Sequence, residues 1–138
     1  MAALDFDGVA LGDEVPEKRH LLTRTDLVRY AGASGDFNPT HHDEPLALAA
    51  GQRSVFGHGM FSMGLLATAL TDWAGPGSVV GYKVRFSRQT WPGETLVTRA
   101  VVVAKREEGG RKLVELDCSL SNEEGEQKVV GSATLVLG

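Results

Sequence analysis

Hydrophobic residues recur along this chain with two periods, and the change falls near residue 77. Residues 1–13 read as a loose lead-in with turn signals at Asp7-Gly8 and Gly12-Asp13. Residues 15–22 suit a short strand with a proline at its start. Thr23, with Asp26 three positions on, forms an acidic variant of a capping box. The spacing of Leu27, Val28, Tyr30 and Ala31 predicts a helix over residues 24–33 with one apolar face. Glycine, asparagine and two prolines forbid regular structure over residues 34–45, which read as an ordered polar loop. Residues 46–51 predict a short helix ending at Gly51. Residues 57–74 leave almost no polar face, since Met60, Phe61, Met63, Leu65, Leu66, Leu70 and Trp73 point all round the cylinder. Such a helix is expected to be buried, and Gly75-Pro76-Gly77 stops it.

Beyond residue 77 the period becomes two. Tyr82, Val84 and Phe86 alternate with Lys83, Arg85 and Ser87, as in a half-buried strand. Residues 95–104 are rich in β-branched side chains, and a turn at Glu107-Glu108-Gly109-Gly110 leads into residues 112–121. A second turn, over residues 122–127, leads into residues 128–137. The expected C-terminal half is therefore four antiparallel strands in a meander, preceded by one buried helix. A helix apolar on all sides needs walls on most of them. A strongly curved antiparallel sheet wrapped around one long central helix supplies those walls within one domain, residues 1–138. This α+β arrangement is the hot-dog fold; a generic α+β sandwich is the alternative.

Composition narrows the function classes. Apolar residues make up 42% and charged residues 23%, which is ordinary globular composition. The formal net charge of −4 argues against a dedicated nucleic-acid binder, whose footprint is a basic patch. The single cysteine, Cys118, excludes an intramolecular disulfide and a cysteine-rich zinc site. The acidic N-terminal stretch is unlike a signal peptide, and residues 60–73 are too short for a membrane span. A cytoplasmic protein with no membrane or nucleic-acid partner is expected.

The richest polar constellation is the loop that runs from Ser34 to Asp43. Asp36 and His41 lie five positions apart across a proline-containing turn, so both can face one point. A carboxylate and an imidazole together can hold one water and move protons at neutral pH. Asn38 can brace the loop through an Asx-type bond. The plainer alternative is that Asp36 and Asn38 are turn residues and His41 an incidental histidine. The second feature is Gly57-His58-Gly59-Met60 at the start of the long helix, where unpaired N–H groups and the positive dipole end collect. Gly59 has no Cβ, so an oxygen can approach its N–H as in an oxyanion hole; a tightly packed helix start is the alternative. His20, His41, His42, Asp43 and His58 are potential metal ligands, yet no pair has His-x-x-x-His spacing, and no metal is expected. Cys118 reads as a buried inert thiol. Lys83, Arg85 and Arg88 suit a phosphate or an acidic carrier protein, or are simply solvated charge.

The pattern Tyr30-Ala31-x-x-Ser34-Gly35-Asp36-x-Asn38-Pro39-x-His41 resembles the signature of the MaoC-like (R)-specific enoyl-thioester hydratases, the hydratase-2 family. His58-Gly59-Met60-Phe61-Ser62 resembles that family's second block. Val84-Arg85-Phe86 followed by Trp91-Pro92-Gly93-Glu94-Thr95-Leu96 resembles its third. Length and N-terminal pattern look most similar to the B-type subunit of the mycobacterial-type (3R)-hydroxyacyl-carrier-protein dehydratases. The resemblance implies a hot-dog fold and reversible hydration of a trans-2-enoyl thioester to an (R)-3-hydroxyacyl thioester. It implies that Asp36 and His41 are the catalytic pair. It also implies an oxyanion and substrate-binding set: the Gly59 N–H for the thioester oxygen, Ser62 as a supporting hydroxyl, and Asn38 ordering the loop. His42 departs from the pattern and adds a second imidazole. No cofactor is implied, because the coenzyme A or acyl-carrier arm belongs to the substrate.

Two other classes are weighed against this. Hot-dog thioesterases commonly place a carboxylate on the central helix, where this chain has none before Asp72. A non-catalytic subunit completing another chain's pocket would have no need of both Asp36 and His41. An exposed sheet edge is an aggregation hazard, so a dimer is expected, with an identical chain or with a related hot-dog subunit. Phe37, Phe61, Leu65 and Trp73 are candidates for setting acyl-chain length.

Overall fold

In the computed structural model, which describes residues 4–138, the first helix is built as its sequence predicts. α1 spans Arg24–Ser34. The Asp26 N–H donates to Thr23 Oγ1 at 3.1 Å, and the Thr23 N–H donates to Asp26 Oδ2 at 2.9 Å, closing the capping box. Gly35 ends the helix at φ 75°, a left-handed conformation that glycine adopts without strain. A 3₁₀ turn at Pro39–His41 interrupts the polar loop, and α2 follows over Glu44–Ala49, capped by the Asp43 carboxylate. α3, the long helix, spans Gly59–Ala74.

The strands are β1 Arg19–Leu21, β2 Val79–Phe86, β3 Thr95–Glu108, β4 Arg111–Asn122 and β5 Gln127–Leu137. They form one five-stranded antiparallel sheet in the order β1-β3-β4-β5-β2. With α3 packed on it, this is the hot-dog arrangement. The simple four-strand meander is corrected in one respect. Only β3, β4 and β5 meander; β2 crosses to the far edge and pairs with β5 rather than with β3. The connection over residues 87–94 holds Pro92 and Gly93, and the Ser87 N–H is bonded to the Lys128 carbonyl, so it cannot close a hairpin. Gly131 makes the β2–β5 pairing possible, because a Cβ there would collide with the backbone at Lys83 and Val84.

Three smaller expectations shift. The 15–22 strand is regular only at β1, because Pro16 cannot donate to the ladder, although the Val15 and Thr98 N–H groups still bond across. The lead-in is packed rather than loose: Val9 is buried, and the Phe6 N–H donates to the Gly138 carbonyl; its first three residues lie outside the described ones. Phe86 is exposed instead of half-buried, its ring lying over Gly59.

The core joins Leu66, Ala69 and Leu70 of α3 to Leu96, Leu116, Leu120 and Leu135 of the sheet. Each fully buried leucine contributes about 1.5–3 kcal/mol. Only one face of α3 is covered, however. Met60 is 56% exposed, and Gly64, Thr68 and Asp72 continue that uncovered stripe at four-residue spacing. The expectation of burial on all sides fails because the sheet of one chain curves round part of the helix. Among the described residues no helix is long and apolar enough to cross a membrane.

Candidate active site

The loop between α1 and α2 is held by its own side chains. Ser34 Oγ donates to the Tyr30 carbonyl at 2.7 Å and accepts from the Asp36 N–H at 3.1 Å. Asp36 Oδ1 accepts from the Asn38 N–H at 3.2 Å, an Asx-type turn. Asn38 Oδ1 takes both the Thr40 N–H and the Thr40 hydroxyl, capping the 3₁₀ turn that carries His41. Asn38 thus orders the loop, with its side-chain oxygen already engaged. His42 Nε2 donates to the Phe37 carbonyl at 3.2 Å, so the departing imidazole folds back on its own loop.

His41 is 9% exposed, and its Nδ1 lies 2.6 Å from the Phe56 carbonyl oxygen. A carbonyl only accepts, so Nδ1 carries the proton and Nε2 presents a lone pair. That Nε2 is 3.9 Å from Asp36 Oδ2, too far for a direct hydrogen bond and near enough for both to touch one small molecule. The Asp36 side chain is 51% exposed, so the pair is reachable from outside.

Gly59 is the first residue of α3, and its N–H lies among the four that find no acceptor within a helix. With Ser62, Phe56, Phe86 and Thr90, it lines a cavity of about 350 Å³. A Cβ on Gly59 would sit 3.1 Å from the Phe86 ring and narrow that cavity. Ser62 is 1% exposed, and its hydroxyl has no partner. Gly59 and Ser62 therefore share one cavity wall; Asp36 and His41 are not part of its lining, and are tied to its edge by their contacts with His58, the residue preceding Gly59.

His58 belongs to the helix-start motif and to the second family-like block, yet the sequence offers it no role of its own beyond that of a potential metal ligand. Its ring is 2% exposed and stacks on His41, centroids 3.8 Å apart at 25°. Its Nε2 donates to the Asp36 carbonyl at 3.1 Å. Burial pushes its pKa down, the nearby His41 adding to the effect against the Asp36 carbonyl bond. The flanking glycines were a signal that backbone approaches closely here; the stack on His41 is a tertiary contact that no local spacing encodes.

Donor atoms of Asp36, His41 and His58 come within 4.8 Å of one another, a proximity that sequence spacing did not foresee. A metal about 2.0–2.1 Å from a ring nitrogen lies near that ring's plane. Two rings stacked at 3.8 Å and 25° cannot both direct in-plane lone pairs at one ion, so the donor set does not fit a shared metal.

A family model described as MaoC like domain matches residues 9–124, and the chain belongs to that family. It is 34% identical over 75% of its length to the peroxisomal hydratase-dehydrogenase-epimerase of Saccharomyces cerevisiae, and that match spans 12% of the yeast protein. Among solved structures it is similar to R-hydratase PhaJ1 of Pseudomonas aeruginosa, with 28% identity, a TM-score of 0.85, and coverage of 98% of this chain and 86% of that one. It is also similar to a chain of the ChsH1-ChsH2 complex of Mycobacterium tuberculosis, with 26% identity, a TM-score of 0.82, and coverage of 94% and 98%.

Proposed function

We propose that this protein is a hydro-lyase that adds water reversibly to a trans-2-enoyl thioester, giving the (R)-3-hydroxyacyl thioester. The observation that carries the reading is the Asp36–His41 pair: a carboxylate facing an imidazole Nε2 across 3.9 Å, with Nδ1 pinned by the Phe56 carbonyl. Family membership and the likeness to an R-hydratase over nearly the whole of both chains support it.

Asp36 and His41 Nε2 hold one water against C3 of the enoyl group. As the water oxygen bonds to C3, its proton passes to the pair, with His41 Nε2 as acceptor. The C2=C3 electron pair moves toward C2 and the thioester carbonyl. Negative charge developing on that oxygen meets the Gly59 N–H at the positive end of α3. The pair then returns a proton to C2. Dehydration is the reverse: C2 loses its proton, and the C3 hydroxyl leaves as water. No redox or metal step is needed, and the carrier arm enters as part of the substrate, on coenzyme A or on an acyl carrier protein.

The uncovered α3 stripe and the unpaired edge of β2 support a dimer. The partner is a second copy when the chain is produced alone; the likeness to a chain of the ChsH1-ChsH2 complex supports a related subunit as the alternative.

The deciding experiment is hydration of crotonyl-coenzyme A with chiral analysis of the product. (R)-3-hydroxybutyryl-coenzyme A is expected at a rate unaffected by a chelator. An (S)-product, release of free coenzyme A in place of hydration, or no turnover on either carrier sinks the reading.

A further inference from the structure

We propose that His58 is a positioning residue for the hydration reaction: its Nε2–H anchors the Asp36 backbone while its ring backs the His41 imidazole, so that the two face one another across the gap that takes the water. This rests on the reading of Asp36 and His41 as the proton-handling pair.

His58 occupies the N-cap position of α3, yet its side chain makes no capping bond, so the helix does not require an imidazole there. Nor is the residue an ordinary core filler. The ring is 2% exposed, and its Nδ1 is buried with no partner, an arrangement that costs stability and that an apolar residue would avoid. What the imidazole does contribute is directed at the site. Nε2 meets the carbonyl of Asp36 itself, 22 positions away in sequence, and the ring face lies flat on His41. Tyr30 also packs against the ring, centroids 4.8 Å apart at 60°. The two histidines are thereby pinned through opposite nitrogens, His41 by Nδ1 and His58 by Nε2.

The tautomer follows from the partners. The Asp36 carbonyl accepts, so His58 Nε2 carries its proton and Nδ1 is a bare lone pair. Protonating Nδ1 would bury a donor without an acceptor beside a ring that must itself take up a proton. Burial accordingly holds His58 neutral. A neutral ring against His41 does not oppose the charge that His41 acquires during turnover, whereas a second imidazolium 3.8 Å away would.

Two variants separate positioning from packing. His58→Gln keeps an N–H where Nε2 stands and loses the ring; His58→Phe keeps an aromatic ring and loses the donor. With the full-length protein and crotonyl-coenzyme A, H58F is expected to lose about 30–100-fold in kcat with KM changed less than about twofold, as misplaced catalytic groups do. H58Q is expected to stay within about tenfold of the parent rate. The thermal midpoints should rank the other way, with H58F above H58Q, because Phe fills an apolar site better. Activity that ranks with stability, or a loss that falls on KM, overturns the proposal. Should neither variant fold, imidazole 15N spectra of the unaltered protein decide. The neutral Nε2–H tautomer of His58 is expected at the pH of the assay; an Nδ1–H tautomer, or a doubly protonated His58 there, overturns it. Failure of the underlying reading is recognised separately, by Asp36→Asn and His41→Ala keeping full rate.

Discussion

The Lys128 ammonium and the groups it meets are all partnered, while on the N-terminal turn of α3 and on Thr90, whose carbonyl accepts from Gly57 just ahead of that turn, three buried polar atoms have no partner. Lys128 is fully buried; its ammonium donates to the Gln89 carbonyl at 2.9 Å and to Glu126 at 2.6 Å, and lies 3.0 Å from Glu94. Glu94 in turn accepts from the Trp91 N–H at 2.7 Å and from Asn122 Nδ2 at 2.8 Å. This closed network ties residues 87–94 to β4 and β5. Across the cavity from this network, Nδ1 of His58 and the hydroxyl of Ser62 on the α3 side are unpartnered, as is the hydroxyl of Thr90 on the inner face of the 87–94 connection, and Ser62 and Thr90 line the cavity. The difference separates a clamp from a site. A saturated polar cluster has nothing left to offer a ligand, whereas open donors and acceptors beside a cavity are offered to something that enters it.

Substitution on the open side should cost activity, and on the closed side stability. The largest effect is expected for Asp36→Asn and His41→Ala. Each should lower kcat/KM for enoyl-coenzyme A hydration by about 10²–10⁴-fold, the usual worth of a general acid or base, while the thermal midpoint moves little. Steady-state kinetics beside a melting curve checks both halves. Next comes Lys128→Met, which leaves the Glu94 carboxylate buried without its cation. A loss of about 3–5 kcal/mol in urea unfolding is expected, with activity following the folded fraction. A Lys128 variant that kept its stability but lost its rate would erase the contrast between the two clusters.

The two clusters were unequally legible in the sequence. Asp36, Asn38 and His41 share one short loop, where local chemistry sets the geometry, so their convergence follows from Pro39 and the Asx turns. Gly59 and Ser62 were legible as a helix start for the same reason. His58 was not, because its partners lie across the fold and periodicity reports nothing of ring stacking. Lys128 was hidden likewise: in the alternating run of β5 it looks like a solvated lysine, and only the return of residues 87–94 buries it. The strands were legible from their two-residue period, but not the pairing of β2 with β5, since a pattern of alternation does not name its neighbour. Apolar residues all round α3 correctly signalled a demand for cover, without saying that one sheet meets only part of it.

The closed cluster also makes a statement about acid. Burial works to raise the Glu94 pKa, but the bonds from Asn122, the Trp91 N–H and Lys128 together hold it below its ordinary 4.5. A carboxylate more acidic in the folded than in the unfolded chain contributes stability above pH 4.5 and loses it as pH falls below that value. Stability measured by urea unfolding should therefore drop on going from neutral pH to below 4.5. Glu94→Gln should be less stable at neutral pH and show a shallower drop. Equal slopes would mean that Glu94 does not titrate differently on folding. Asp26 acts in the same direction: burial opposes its ionisation, while the Thr23 N–H and His20 favour it and keep its pKa low.

The smallest effect tests whether burial without a polar partner makes a group inert rather than poised. Cys118 is 4% exposed on β4, facing the same core as Leu116 and Leu120, and its pKa is pushed up to about 11 by desolvation, with the Asp117 charge adding to it. A thiol of that kind holds almost no thiolate at pH 8 and lies out of reach of a reagent. Native protein should therefore resist thiol-specific labelling until denatured, and Cys118→Ala should leave the hydration rate within about twofold while costing a modest amount of stability through the small cavity it creates. Rapid labelling of the native protein would mean that β4 opens locally. A lost rate in Cys118→Ala would mean that the sheet side of the core takes part in the site, and the division between clamp and site would have to be redrawn.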